Sequence, residues 1–237
     1  MTSSQKRPPR YFAYDTAINR RCHRLHTTRS PERITIASAL EHRDNGAVVV
    51  DVRSADAFAA CHLRGSINIG LDGRFAEWAA TLIDPTARLV IIADNDDATA
   101  ARTRLARVGL DEVVAWLPAT DLASAPARER SAATRVDTND LAARLRSPTP
   151  PTLLDVRTTT ERRLGSIEPS LHLPLDELTD HCDELTGAKT VVVYCASGYR
   201  STIAASLLRA GGAPNVTDLR GGFAAWVAGR NASSNQA

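Results

Sequence analysis

Long apolar runs are missing from this 237-residue chain. Nothing in it approaches the ~18 consecutive apolar residues of a membrane span, so a transmembrane helix is not expected. The opening stretch from Met1 to Arg10 is polar and lacks the apolar centre of a secretory signal. Cysteine is scarce and scattered. Cys22, Cys61, Cys182 and Cys195 do not form a disulfide framework in a chain this long, and a reducing, cytoplasmic compartment is the economical reading. A large excess of charge is missing too, since the formal net charge is +2.

That small charge is unevenly spread. Residues 1–30 hold Lys6, Arg7, Arg10, Arg20, Arg21, Arg24 and Arg29 against Asp15 alone, a local +6, which leaves about −4 on the rest. This basic arm contains no recognisable nucleic-acid-binding module, so it reads as a solvated or partner-docking segment and no nucleic-acid partner is expected. Cys22-His23 and His26 are near one another, but no second ligand pair completes a metal site. No metal and no cofactor are expected.

What the chain does have is a repeat. Val48-Val49-Val50-Asp51-Val52-Arg53 answers Thr152-Leu153-Leu154-Asp155-Val156-Arg157 at an offset of 104, and Ser66–Leu71 answers Ser170–Leu175 at the same offset. Leu89–Ile92 answers Val191–Tyr194 at an offset of 102. Short apolar strands alternate with helical patterns such as Phe75 to Ile83 and Asp137 to Arg146, which predicts parallel sheets with helices on their faces. Hydrophobic residues make up 43% of the chain, enough for one large core or two small ones. The segment from Pro118 to Ala133, rich in Ala, Ser, Arg and Pro, reads as a linker. The run Asp176 to Leu185 is predicted helical, with Cys182 as half-buried packing.

The chemistry concentrates in Cys195-Ala196-Ser197-Gly198-Tyr199-Arg200-Ser201. The apolar run Val191–Tyr194 predicts a buried strand ending at Cys195, and a helix is predicted five or six residues later. The loop would then lie over a helix N-terminus, where free backbone N–H groups and the helix dipole favour an anion. Such positions, with an Arg nearby, bring thiols from about 8.5 to roughly 3.5–7.5. Gly198 permits the loop to curl its amides around the sulfur, and Arg200 adds a fixed positive charge. The first repeat carries nothing comparable. Ala93 stands where Cys195 stands, Ala98 stands where Arg200 stands, and Asp94, Asp96 and Asp97 would repel an anion. Those acids read as a solvated, helix-capping turn.

Three stretches in order carry a family resemblance: Leu153–Arg157, the loop Cys195–Arg200, and Asp218-Leu219-Arg220-Gly221-Gly222-Phe223-Ala224-Ala225-Trp226. Together they resemble rhodanese-type sulfurtransferases. The resemblance implies an α/β fold of two tandem domains, each a mostly parallel five-stranded sheet flanked by helices. It divides the chain into a basic arm (1–30), an inactive domain (31–118), a linker (119–133), a catalytic domain (134–230) and a tail (231–237). It implies sulfane-sulfur transfer from thiosulfate or a small persulfide to a thiol or cyanide acceptor through a Cys195 persulfide. Cys195 and Arg200 would be catalytic, and Ala196, Ser197, Gly198, Tyr199 and Ser201 would bind substrate. Asp155 and Arg157 would tie the strand end to its neighbouring loops.

Protein tyrosine phosphatases also pair Cys and Arg at a strand-to-helix turn, with five residues between them rather than four. A Cys-based phosphatase or arsenate reductase is thus a second reading that the four-residue spacing disfavours, and a non-catalytic interaction module partnering a persulfide dioxygenase is a third. Cys61 occupies a glycine position of the family's turn, Ser166 and Glu168 replace the usual His and Pro, and His172 reads as a structural histidine. Tyr199 reads either as a gate on donor size or as a passive, exposed aromatic at the loop's mouth. The tandem arrangement further resembles the C-terminal part of fusions between a metallo-β-lactamase-fold persulfide dioxygenase and rhodanese domains, with Pro8–Arg21 resembling the end of the hydrolase domain. The His-x-His-x-Asp-His metal motif of that domain does not occur here. A separate persulfide dioxygenase is therefore an expected partner, and the oligomeric state stays open.

Overall fold

The computed structural model describes residues 31–94, 96–181 and 190–234. The basic arm, Cys22, His23, His26 and Cys182 lie outside the described residues, as does the docking role expected of the arm.

Two five-stranded sheets repeat one topology, as expected. In the first, strands β1 (Glu32–Arg33), β6 (Val113–Pro118), β5 (Leu89–Ala93), β2 (Val48–Asp51) and β4 (Ile67–Asn68) lie in that order. In the second the order is β8 (Arg135–Val136), β12 (Val216–Leu219), β11 (Val191–Tyr194), β9 (Thr152–Asp155) and β10 (Leu171–His172). The pairings β5–β2, β5–β6, β1–β6, β11–β9, β11–β12, β12–β8 and β10–β9 are all parallel. The central strands Leu89–Ala93 and Val191–Tyr194 are buried at every residue. Such continuous apolar runs suit parallel strands covered by helices on both faces. A separate antiparallel pair joins β3 (His62–Leu63) to β7 (Arg130–Ser131).

Among the described residues the helices are α1 (Ile36–Asp44), α2 (Ala55–Ala60), α3 (Phe75–Leu82), α4 (Asp97–Ala106), α5 (Thr138–Leu145), α6 (Thr159–Arg163), α7 (Tyr199–Ala210) and α8 (Gly222–Ser234). Several begin at side chains that accept a free amide: Thr35 from Ser38, Ser54 from Ala57, Asp137 from Asp140. At α6, Thr158 and Glu161 form a reciprocal capping box. Backbone contacts divide the described chain into two units. One runs to Val52 and includes Leu71–Asp121; the other comprises Arg53–Gly70 and the residues from Leu122 onward.

Three local expectations change. The predicted linker is ordered, with 3-10 turns at Ala119–Ser124 and Ala127–Glu129 followed by β7. In the predicted helical run from Asp176, the described part forms a 3-10 turn at Leu178–Asp180. Asp96 holds the N-cap position of α4, yet its side chain makes no capping bond. Among the described residues, no helix is long and apolar enough to cross a membrane.

Candidate active site

The second sheet fixes the site from below. Val136, Leu141, Leu153, Ile167, Val192, Tyr194 and Leu219 form one buried cluster, with Leu145, Phe223 and Trp226 packed on it. The C-terminal ends of β9, β11 and β12 thus meet over a rigid core. Cys195 follows β11 directly and is 1% exposed.

Helix α7 begins earlier than expected, at Tyr199. Gly198 is its N-cap in the left-handed region at φ +100°, and no side chain caps the helix. A glycine there lets the chain turn straight from strand into helix, so Arg200 and Ser201 fall in the first turn rather than ahead of it. The Gly198 N–H donates to Cys195 Sγ at 3.1 Å, and Ser201 Oγ lies 3.6 Å from the same sulfur. The Ser201 hydroxyl donates to the Gly198 carbonyl at 3.1 Å. Rotation of that hydroxyl would offer a second donor to a charged sulfur. Cys195, Gly198 and Ser201 are therefore brought together, with Ala196 and Ser197 spanning the loop between them.

The loop is held from behind by the start of α8. The amides of Phe223 and Ala224 donate to the carbonyls of Cys195 and Ala196 at 2.7 and 3.0 Å. This close approach explains the paired glycines. A Cβ on Gly222, at φ +57°, would stand 2.4 Å from the Cys195 carbonyl oxygen, and one on Gly221 would stand 2.7 Å from the Ala225 Cβ. With the Cys195 and Ala196 carbonyls bound to α8, the loop turns the Gly198 amide inward onto the sulfur.

Arg200 has a partner that the sequence reading missed. Its guanidinium grips Glu161 with two bonds, Nη1–Oε2 at 2.8 Å and Nη2–Oε1 at 2.5 Å. Arg200 holds the Glu161 carboxyl well below the usual range, at about 2, with the Thr158 amide and hydroxyl adding to the effect against burial. Burial opposes the Arg200 charge, but the Glu161 pair and the charge of Cys195 carry it above the ordinary guanidinium value. The signal available was Thr158-Thr159-Thr160-Glu161, which also reads simply as a helix start.

Asp155 and Arg157 lie beneath this layer. Asp155 is fully buried and accepts from Arg157 Nη2 at 2.7 Å and Nε at 2.9 Å, and from the Tyr194 hydroxyl at 2.9 Å. Arg157 also donates to the Gly165 carbonyl at 2.7 Å and stacks over Phe223 at 4.2 Å. Tyr194, unremarked in the sequence, additionally receives the Ile167 amide and contacts Ser170. His172 Nε2 bonds the Arg157 carbonyl at 2.8 Å. Tyr199 is half-buried, and its hydroxyl donates to the Gly70 carbonyl at 2.7 Å, so it is not an exposed loop tip. Cys61 ends α2 as a half-buried thiol whose carbonyl accepts from Arg53.

At the corresponding turn of the first sheet, Ala93 and Ala98 are buried while Asp94, Asp96 and Asp97 are exposed. Among the described residues no cluster of three or more His, Cys, Asp or Glu could hold a metal ion.

Comparison with known proteins agrees with this architecture. The family model described as "Rhodanese-like domain" matches residues 35–118 and again 137–229. A sulfurtransferase of Allochromatium vinosum is 36% identical over 92 residues, spanning 39% of this chain and 86% of that protein. An uncharacterized protein of Bacillus subtilis is 36% identical over 74 residues, spanning 31% of this chain and 59% of that protein. A solved rhodanese-related protein from Thermoplasma volcanium is 32% identical over 40% of this chain and 91% of its own, with a TM-score of 0.37. With both halves matched in turn, the chain belongs to the rhodanese-like domain family.

Proposed function

We propose that this chain is a sulfurtransferase that carries sulfane sulfur on Cys195. The observation that carries the reading is the sulfur's setting: a buried Sγ with the Gly198 amide at 3.1 Å and the Ser201 hydroxyl at 3.6 Å, at the uncapped N-terminus of α7. Inward amides and a helix N-terminus suit a thiolate, and they suit equally the terminal anionic sulfur of a persulfide.

In the first half-reaction the Cys195 thiolate attacks the outer sulfur of thiosulfate, or of a small persulfide. A new S–S bond forms, the donor's own bond to that sulfur breaks, and sulfite or a thiolate leaves with the bonding pair. In the second, an acceptor thiolate or cyanide attacks the terminal sulfur and restores the Cys195 thiolate. No net oxidant is consumed, and the enzyme alternates between two stable forms. The Arg200–Glu161 pair fixes the first turn of α7 beside the sulfur, while the loop amides supply the donors. The first domain has neither thiol nor cation at the matching turn and is inactive in this transfer.

Steady-state kinetics of thiosulfate-to-cyanide transfer test the proposal. Parallel double-reciprocal lines and complete loss of turnover in Cys195→Ser are expected. Undiminished turnover in Cys195→Ser would reject the reading, and a wild type inert with thiosulfate and with glutathione persulfide would favour a binding module.

A further inference from the structure

A pocket of about 710 Å3 lies within the second unit, at the end of its sheet opposite Cys195. Thr190, just before β11, and Asn215 and Val216 at the start of β12 line it, as does Ala210 at the end of α7. The 12-residue length of α7 separates it from the cysteine loop by roughly 18 Å at 1.5 Å per residue. The pocket is thus distinct from the site described above.

Its chemistry has one sign. The described lining includes Arg64, Arg144, Arg209 and His62, several hydroxyl side chains, and no carboxylate. Arg209 is the deepest cation. Its Nη1 donates to the Val216 carbonyl at 2.9 Å, while its Nε is buried without a hydrogen-bond partner among the described residues. Asp218, whose charge reaches Arg209, is itself forked by Arg135 at 2.8 Å. The Thr217 hydroxyl is likewise buried and unpartnered, in a residue only 9% exposed. Polar groups sequestered in this way cost free energy unless something binds them. Burial, followed by the charges of Arg209, Arg53 and Arg64, pushes His62 down to about 4.

The end of α7 would oppose an anion through its dipole. Its last carbonyls are already occupied, however. Leu207, Leu208 and Arg209 accept from the amides of Gly211, Ala213 and Gly212.

We propose that this pocket binds a phosphorylated small molecule of nucleotide size, with Arg209, Arg64, Arg144 and the Thr217 hydroxyl recognising its phosphate. Guanidinium forks match phosphate oxygens in geometry as well as charge. The volume exceeds what a lone oxyanion needs and falls in the ordinary range of small-molecule sites, roughly 300–1,000 Å3.

Titration calorimetry of the full chain at low salt, with AMP, adenosine and inorganic phosphate, tests it. AMP is expected to bind more tightly than phosphate, and adenosine not at all. The double variant Arg64→Gln, Arg144→Gln should weaken AMP at least tenfold, with thiosulfate turnover and circular dichroism unchanged. Thr217→Val keeps the side-chain shape, removes an unpartnered hydroxyl, and should weaken AMP severalfold in a protein at least as stable. Cys195→Ser should bind AMP as the wild type does. The proposal is overturned if AMP fails to bind, if adenosine or phosphate binds as tightly as AMP, or if neither pocket variant weakens it. Loss of AMP binding in Arg200→Gln, with the pocket variants intact, would move the anion to the cysteine loop and overturn it equally.

Discussion

At Gly222 the backbone sits at φ +57°, and an added Cβ would come within 2.4 Å of the Cys195 carbonyl oxygen and 2.9 Å of the Ala196 carbonyl. Gly46 has φ +85° with nothing within 4 Å of the same position. Gly46→Ala should therefore cost only the left-handed backbone penalty, about 1–2 kcal/mol, and leave activity untouched. Gly222→Ala should cost about 1–3 kcal/mol more through the clash and lower turnover at least tenfold, because the displaced backbone is that of the nucleophile. Denaturant melts and steady-state rates of the two variants check this. Glu161 gives a second residue-scale expectation. With Arg200 only 16% and Glu161 32% exposed, Glu161→Gln should cost between the ~0.5 kcal/mol of an exposed pair and the ~3 kcal/mol of a buried one. The Glu161 carboxyl falls from 4.5 to about 2 on folding. A depressed carboxyl stabilises the fold above its unfolded value, so this contribution is full above pH 4.5 and is lost as pH falls toward about 2. Acid melts of Glu161→Gln should show a smaller loss over that range than those of the wild type, with Asp155 and the other depressed carboxyls supplying the remainder.

Elements were legible where the signal was local. The offset of 104 placed β2 against β9, Val48–Asp51 and Thr152–Asp155, and both strands show the same burial pattern. The offset of 102 placed Asp97 against Tyr199, the first residues of α4 and α7. The cysteine loop was legible because strand, thiol, glycine and arginine are contiguous. The start of α7 was set one or two residues late, since nothing in Gly198-Tyr199 signals a cap by side chain. The Arg200–Glu161 pair spans 39 residues, and no periodicity or turn rule connects such positions. Tyr194 is the clearest omission: read as one more apolar strand residue, it holds Asp155, Ile167 and Ser170 through one hydroxyl. Tyr194→Phe leaves the Asp155 carboxylate and the Ile167 amide each one partner short. It should destabilise the protein by about 1–3 kcal/mol, measurable by urea denaturation, with Cys195 still able to take up sulfur.

Over the whole molecule, two copies of one topology have diverged in chemistry. The second keeps a thiol beneath helix amides; the first buries Ala93 and Ala98 and presents Asp94, Asp96 and Asp97 to solvent. Global stability carries a separate acid dependence through His62, which is stacked on Phe58 at 4.0 Å and falls from 6.5 to about 4 on burial. A depressed histidine disfavours the fold once protons compete, so stability should be intact above pH 6.5 and decline between 6.5 and about 4. The decline is at most roughly 3 kcal/mol at 1.36 kcal/mol per pH unit. His62→Gln should flatten that limb in thermal melts taken at successive pH values.

The division of labour between the copies is tested most directly by intact-protein mass spectrometry after brief exposure to thiosulfate and, separately, to glutathione persulfide. The wild type is expected to gain one sulfur, about 32 Da, mapped by peptide analysis to Cys195, while Cys195→Ser gains none. Sulfur on Cys61 instead, or an unmodified wild type whose Cys195 thiol is free and folded, would contradict the assignment of Cys195 as the sulfur carrier.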